Sequence, residues 1–188
     1  MNRRRIAALL LCFLPLVFLL ASCGGRALSP EEEALCGRWA YSHDPKTAVL
    51  TLTKNGRAKF EGGDYSFTCD GEYIRLSAGK SGTVSLRYRA DDKGMTLYLP
   101  AEYESDEAAD GLVGLWKCPE KNWSFAFTEE GTFTEDGNFT GNYTVDGEAG
   151  SFTLVYAESF GLDDALCFYS LDGGSLTVEY PWPMVRMK

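Results

Sequence analysis

The chain has 188 residues and a formal net charge of −9, with 27 acidic against 18 basic side chains. A surface this acidic argues against binding to nucleic acid and against electrostatic binding to anionic lipid. Aromatic residues make up 13% of the chain and glycine occurs 20 times, which favours a turn-rich β protein over a helical or disordered one. The length is enough for one ordinary domain or two small ones.

The first 22 residues have the three zones of a secretory signal peptide. Arg3–Arg5 form a basic start, an apolar stretch follows over Ile6–Leu20, and small residues precede Cys23. The apolar stretch is shorter than the ~18 residues expected of a membrane-spanning helix. Residues 1–22 are therefore predicted to be removed on export.

The end of this segment, Leu20-Ala21-Ser22-Cys23, resembles the lipobox of bacterial lipoproteins. The resemblance implies that Cys23 receives a diacylglycerol and that the signal is cut just before it. Residues 23–28 would then form a short tether. Two acyl chains suffice for stable anchoring. The protein is therefore expected at the cell membrane, held by its lipid on the extracytoplasmic face.

After the tether the chain is predicted to contain one β-rich unit twice, over residues 29–103 and 104–188. Each unit opens with a helix-start signal, which is Ser29 before Pro30 in the first and Ser105 before acidic residues in the second. Beyond these helices the hydrophobic period is two, which is typical of half-buried strands. Asn-Gly, Asp-Gly and Gly-Gly pairs separate the strands and favour tight hairpins.

The repeat is visible in four matched segments. They are Leu35–Trp39 with Leu112–Trp116, Leu52–Gly56 with Phe127–Gly131, Gly63–Tyr65 with Gly141–Tyr143, and Asp92–Leu97 with Asp172–Val178. Strands joined by short turns pair antiparallel, so each unit is predicted to be an up-and-down meander of short strands. Met184–Lys188 is predicted to be an extra final strand of the second unit.

The Gly-x-Trp motifs at Gly37–Trp39 and Gly114–Trp116, each after a short helix, resemble the opening motif of the lipocalins. The whole pattern is similar to the short lipocalin-like domains of bacterial lipoproteins. The resemblance implies an all-β fold of two tandem small antiparallel up-and-down meanders or barrels, each preceded by a short helix. In lipocalins an arginine of the last strand stacks over the motif's tryptophan. Arg186 is therefore expected over Trp116, in a cation–π contact of ~1–2 kcal/mol, and Trp39 has no equivalent arginine.

The size of the units bears on what their interiors can hold. Typical lipocalins use about twice the residues of one unit here, and a small eight-stranded barrel can be filled by its own side chains. Filled interiors are therefore expected. The alternative is that both units join in one larger barrel or sandwich, which would leave room for a cavity.

Four cysteines remain after the signal and Cys23 are set aside, namely Cys36, Cys69, Cys118 and Cys167. In an exported protein they could oxidise, and four cysteines allow three pairings that the sequence does not distinguish. Buried free thiols are the alternative. No Cys-x-x-Cys pair is present, so a zinc or thioredoxin-type site has no support.

The sequence predicts no catalytic residue, no metal site and no cofactor. His43 is the single histidine and lies in a turn-like stretch, and no Gly-x-Ser-x-Gly elbow occurs. A Ser-His-Asp triad therefore has no support, and His43 is predicted to be a solvated turn residue. The acidic runs at Asp91–Asp92, Glu104–Asp110 and Asp163–Asp164 lack the spacing of an EF-hand loop and are predicted to be solvated.

Trp123 and Trp182 are the two candidate contact residues. Trp123 opens an aromatic-rich stretch whose alternate members are predicted to be core, with an exposed edge for sugar or peptide as the alternative. Trp182 lies between Pro181 and Pro183. Proline cannot donate to a strand ladder, so Trp182 is predicted to be exposed.

Three functional hypotheses follow. The leading one is a membrane-tethered, non-enzymatic binding or interaction module with an unknown protein, peptide or glycan partner, whose binding face is expected on the second unit. The second is a carrier of a small hydrophobic ligand, which requires a continuous apolar cavity. The third is a cell-envelope hydrolase, which requires a cleft with two facing carboxylates, one of them with a raised pKa.

Overall fold

The computed structural model describes residues 26–92, 94–105 and 111–188. The predicted signal peptide, Cys23 and most of the second predicted helix start, which follows Ser105, lie outside these residues. No helix in the described part of the chain is long and apolar enough to cross a membrane.

The described residues form one α-helix and fourteen β-strands. The helix α1 spans Pro30–Leu35, and two short 3-10 turns lie at Gly79–Ser81 and Glu158–Phe160. The strands are β1 (Gly37–Tyr41), β2 (Leu50–Leu52), β3 (Arg57–Phe60), β4 (Gly63–Cys69), β5 (Tyr73–Ser77), β6 (Thr83–Ala90), β7 (Met95–Glu104), β8 (Gly114–Cys118), β9 (Trp123–Phe127), β10 (Thr132–Glu135), β11 (Phe139–Asp146), β12 (Ser151–Tyr156), β13 (Ala165–Asp172) and β14 (Ser175–Arg186).

The predicted helix start at Ser29 is confirmed. Ser29 Oγ accepts a hydrogen bond from Glu32 N at 3.1 Å, and Glu32 Oε2 accepts one from Ser29 N at 2.8 Å, which forms a capping box. Glu32 is buried, and its Oε1 accepts hydrogen bonds from Arg26 Nη2 at 2.7 Å and from Cys69 N at 3.2 Å. The hydrogen bond from Arg26 is the main cause of a lowered pKa of Glu32. The carboxylate thereby fastens α1 and the residues before it to β4.

All strands lie in a single closed sheet, in which each strand pairs antiparallel with the next and β14 returns to β1. β7 and β14 also pair with each other over ten residues, from Glu104↔Ser175 to Met95↔Met184. This pairing divides the ring into two circuits of eight strands. The first circuit runs from β1 to β7 and closes through β14, and the second runs from β7 to β14. The all-β prediction is confirmed, but the two predicted units are parts of one sheet.

β14 changes its neighbour at Pro181 and Pro183. Its first part pairs with β13 as far as Glu179, and its last part pairs with β1 from Met184 onward. The Pro183 carbonyl accepts a hydrogen bond from Ser42 N at 2.9 Å, on the β1 side. β13 and β1 lie along the same edge of β14, since β7 occupies the other edge. The nitrogen of Pro183 points to this shared edge, and proline has no N–H to donate there. The ladder with β13 therefore ends before the prolines, and the separate last strand predicted from the sequence is the end of β14.

Each circuit encloses its own hydrophobic core. Ala101 and Tyr103 of β7 pack in the second core, and Met184 of β14 packs in the first. Each half of the chain therefore contributes part of its last strand to the core of the other half. The first core contains Leu35, Trp39, Leu50, Leu52, Ala58, Phe60, Phe67, Ile74, Leu76, Leu86, Tyr88, Met95, Leu97 and Met184. The second contains Ala101, Tyr103, Leu112, Trp116, Cys118, Phe125, Phe127, Phe133, Phe152, Leu154, Tyr156, Ala165, Cys167, Leu176 and Val178.

The two Gly-x-Trp tryptophans make the same contact in the two circuits. Trp39 Nε1 donates to the Leu35 carbonyl at 2.9 Å, and Trp116 Nε1 donates to the Leu112 carbonyl at 2.8 Å. Both rings are buried, and both indole N–H groups are satisfied by the residue four positions earlier. The repeat seen in the sequence therefore corresponds to a repeated structural device.

Arg186 lies over Trp39, with its guanidinium carbon 4.5 Å from the ring centroid. The expectation that it covers Trp116 is wrong, because β14 crosses to the first circuit and pairs Arg186 with Trp39. Arg186 also donates to the carbonyls of Ala34 at 2.6 Å and Cys36 at 2.7 Å. The end of β14 is thereby bound to the end of α1.

The four cysteines of the predicted mature chain are free thiols. Cys118 and Cys167 are buried in the second core, and Cys36 and Cys69 are half-buried in the first circuit. Burial raises the pKa of Cys36, Cys69 and Cys167. This agrees with the free-thiol alternative and not with a disulfide pairing.

Candidate functional site

Six side chains from both circuits form a connected strip at the middle of β14. We call this set the junction strip. It contains Tyr41, His43, Trp182, Tyr180, Tyr156 and Glu135.

The part of the junction strip in the first circuit is aromatic. Tyr41 ends β1, and His43 lies in the turn that follows; their rings stack at 5.3 Å with 9° between their planes. Trp182 of β14 lies 5.2 Å from Tyr41 and 5.9 Å from His43, between ring centroids. His43 is exposed, as predicted, whereas Tyr41 and Trp182 are half-buried. The three rings form a surface cluster that is partly open to solvent.

Trp182 connects this cluster to the second circuit through Tyr180. The two residues lie two positions apart on one strand and therefore on the same face of the sheet. Their rings are 6.3 Å apart in an edge-to-face arrangement. Because β14 changes neighbours between Glu179 and Met184, Tyr180 faces the second circuit and Trp182 faces the first.

The part of the junction strip in the second circuit is a chain of hydrogen bonds. Tyr156 Oη donates to Glu135 Oε2 at 2.5 Å, and the hydroxyls of Tyr156 and Tyr180 are 2.8 Å apart. A hydroxyl has one proton. Since Tyr156 uses its one proton in the hydrogen bond to the carboxylate, the proton between the two hydroxyls belongs to Tyr180, which donates to Tyr156. The oxygen of Tyr180 then keeps its acceptor positions for another donor.

Glu135 is a core-facing carboxyl at the end of its strand. It shares a face of β10 with buried Phe133 and is itself half-buried. Burial raises the pKa of Glu135, the hydrogen bond from Tyr156 opposes this shift, and the negative charge of Asp136 adds to it. Among the residues that the structure describes, no lysine, arginine or histidine forms an ion pair with Glu135. The half-buried carboxyl is therefore partly desolvated and lacks a compensating cation among the described residues.

Apolar side chains border Glu135 at the end of the second circuit where β10 ends and β11 begins. Phe139 begins β11, directly opposite Glu135, and is 37% exposed. Its ring lies 5.4 Å from that of Phe160, and Leu162 is exposed in the same connection between β12 and β13. Gly114, at the start of β8, lies at the opposite end, since it pairs with the last residue of β9. Phe139, Phe160 and Leu162 thus form an apolar rim near Glu135, at the end of the circuit opposite Gly114.

The structure brings one of the two predicted contact residues into the junction strip. Trp182 belongs to it, although it is half-buried rather than fully exposed. Trp123 does not; it packs against the second core at the start of β9, with Lys121 Nζ 4.6 Å from its ring. The sequence alone does not identify Tyr156, Tyr180 or Glu135 as candidate site residues. The signal that could have indicated them is a polar group at a core-facing position of an alternating strand.

Two of the three acidic runs predicted to be solvated are exposed, and most of the third, Glu104–Asp110, lies outside the described residues. Asp91, Asp92, Asp163 and Asp164 all face solvent. Across residues 26–92, 94–105 and 111–188, no group of three or more histidine, cysteine, aspartate or glutamate side chains could hold a metal ion.

Comparisons with known proteins identify no relative: no family model, no curated protein and no solved structure matches the chain.

Proposed function

We propose that this chain is a membrane-anchored extracytoplasmic lipoprotein that acts as a non-enzymatic binding module. The observation that carries the proposal is the junction strip, in which aromatic side chains of both circuits and the carboxyl of Glu135 are joined by ring contacts and hydrogen bonds. Rigid aromatic side chains offer large contact area at low entropic cost and are enriched where proteins bind partners. Tyr180 and Trp182, at the centre of the strip, lie on β14, which belongs to both circuits and links the two parts of the strip.

The architecture supports short lipocalin-like units, and their interiors do not favour the carrier hypothesis. Each circuit has eight strands and a buried Gly-x-Trp indole tied to the residue four positions earlier. These features support two lipocalin-like units over residues 29–103 and 104–188 that share their last strands. The rings of Trp116, Phe125 and Phe152 occupy the second interior, so a ligand is expected at the end of the circuit rather than deep inside it.

The binding function is tested by thermal shift with the detergent-solubilised protein. The probes are dodecanoate, haemin, N-acetylglucosamine, a tetra-alanine peptide and phenethylammonium. We expect at least one to raise the Tm, by roughly 5 °C at one hundred times its Kd. Trp182→Ala should weaken that probe's binding by about 2 kcal/mol, as for a central aromatic contact.

Leu115→Ala is the matched control, because Leu115 is 49% exposed on β8 and is not part of the junction strip. It should leave the shift unchanged. The proposal fails if none of the probes raises the Tm, or if the shift persists fully in Trp182→Ala.

Membrane anchoring is tested by Cys23→Ala. We expect the variant to lose metabolic labelling with a radioactive fatty acid and to leave the membrane fraction, because the acidic charge of the chain disfavours attachment to anionic lipid without the acyl chains. Cys36→Ala is the control and should stay labelled. A Cys23→Ala protein that still sediments with membranes would overturn the anchor.

A further inference from the structure

We infer that Glu135 and Tyr180 bind the ammonium group of a small organic cation, and that the neighbouring aromatic rings hold its apolar body. This inference rests on the proposed function, since it names the class of ligand that the junction strip takes. It is carried by the hydrogen-bond directions, the uncompensated carboxyl and the rings around it.

The first argument is the missing cation. Glu135 is half-buried and core-facing, its only close charged neighbour among the described residues is the like-charged Asp136, and its Oε2 is engaged by Tyr156. Burying a carboxylate without a partner is costly, and an opposite charge removes much of that cost. A ligand ammonium beside Oε1 would supply the charge that the protein does not.

The second argument is the direction of the hydrogen bonds. Because Tyr180 donates to Tyr156 and Tyr156 donates to Glu135, the positions left for a ligand at Tyr180 and at the carboxylate are acceptors. An ammonium group carries three donors and no acceptor. A carboxylate or phosphate ligand would meet acceptors and negative charge, so the site selects against anions.

The third argument is the surrounding aromatic surface. Trp182 lies 6.3 Å from Tyr180, and Tyr41 lies 5.2 Å from Trp182. Ring faces attract cations, most strongly when the site is desolvated. Phe139 and Phe160 provide an apolar rim for the body of the ligand. The net charge of −9 also raises the local concentration of cations.

The test is calorimetric titration of the detergent-solubilised full chain with three probes of one shape: phenethylammonium, 2-phenylethanol and phenylacetate. We expect phenethylammonium to bind at least tenfold more tightly than the neutral alcohol and phenylacetate not to bind. Glu135→Gln should weaken phenethylammonium binding at least tenfold and leave the alcohol unchanged. Tyr180→Phe should weaken it about fivefold, since it removes one acceptor.

Glu130→Gln is the matched control. It removes the same charge from an exposed turn at the other end of β10, and it should change the Kd by less than a factor of two. If it weakens binding as much as Glu135→Gln does, the effect is one of overall charge and the site is not at Glu135.

The pH profile of the unmodified protein gives a readout that needs no variant. The pKa of Glu135 is raised, and only the ionised carboxyl pairs with an ammonium. Affinity for phenethylammonium should therefore rise with pH through that raised pKa, while the profile of Glu135→Gln stays flat.

Equal affinity for the ammonium and the alcohol, a flat profile in the unmodified protein, or full binding by Glu135→Gln would each overturn the inference. These failures are distinct from failure of the proposed function. A sugar, peptide or fatty acid that raises the Tm in a Trp182-dependent way would leave the binding module standing without the ammonium site.

Discussion

A fragment of residues 26–105, expressed by itself, is expected not to fold, although it contains the whole first half of the sheet. Its circuit is closed by β14, which supplies Met184 to the core and places Arg186 over Trp39. Without β14, β7 loses all ten of its pairs with that strand and β1 loses one of its two neighbours. The loss should exceed the whole stability of an ordinary domain, about 5–15 kcal/mol.

The measurement is far-ultraviolet circular dichroism and amide NMR of residues 26–105 and of residues 106–188, each separately and then mixed in equal amounts. We expect dispersed amide spectra only from the mixture or from the intact chain. A cooperatively folded fragment of residues 26–105 would show that the exchange of last strands is dispensable and that the first half is an independent domain.

Trp116→Ala is expected to destabilise the intact protein by about 3–5 kcal/mol, the usual cost of removing a large buried aromatic side chain. The ring is fully buried among the aromatic side chains of the second core, and its indole N–H is satisfied by the Leu112 carbonyl at 2.8 Å. Truncation leaves both a cavity and an unpaired carbonyl. Because β7 and β14 belong to both circuits, the loss should lower the unfolding midpoint of the whole sheet.

Urea denaturation checks this when it is followed both by circular dichroism and by tryptophan fluorescence. The two signals should report one shared transition at a lower urea concentration than in the unmodified protein. Leu115→Ala, on the exposed side of the same strand, should change the free energy of unfolding by less than about 0.5 kcal/mol. Two separated transitions, one of them unshifted, would show that the circuits unfold independently.

Local features of the fold were predictable from the sequence. The alternation of Leu176, Val178 and Tyr180 predicts the inward face of β14, and the pairing of Ser29 with Pro30 predicts the start of α1. These patterns depend on neighbours a few residues away, which a single sequence shows directly.

The exchange of last strands was not predictable in the same way. Strand order beyond adjacent hairpins depends on contacts between residues far apart in the chain, and the repeat suggested two self-contained units. The two prolines beside Trp182 were the available signal. From the sequence alone they predict an exposed Trp182, whereas in the structure they mark the point where β14 leaves β13 and joins β1.

Only part of the candidate site was predictable, because its residues also come from strands that are far apart in the sequence. Trp182 stands out because of its flanking prolines, but Glu135 occupies a position that alternation assigns to the core, beside Phe133. A glutamate at such a position has significance only when its surroundings are known. The hydroxyls of Tyr156 and Tyr180 come from two other strands, and no spacing in the sequence connects them to Glu135.

The attachment of Arg26 determines how the molecule would stand on a membrane. Arg26 Nη2 donates to Glu32 at 2.7 Å and to the Phe67 carbonyl at 3.0 Å, so the chain is fastened to the sheet from this residue onward. With the lipid proposed at Cys23, three residue steps, at most about 11 Å, separate the acyl chains from that attachment. The proposed anchor would therefore keep the α1 end of β1 near the bilayer and direct Tyr41, at the other end of β1, outward. In the proposed lipoprotein, this short tether would restrict the orientation of the protein and leave the junction strip open to the aqueous side.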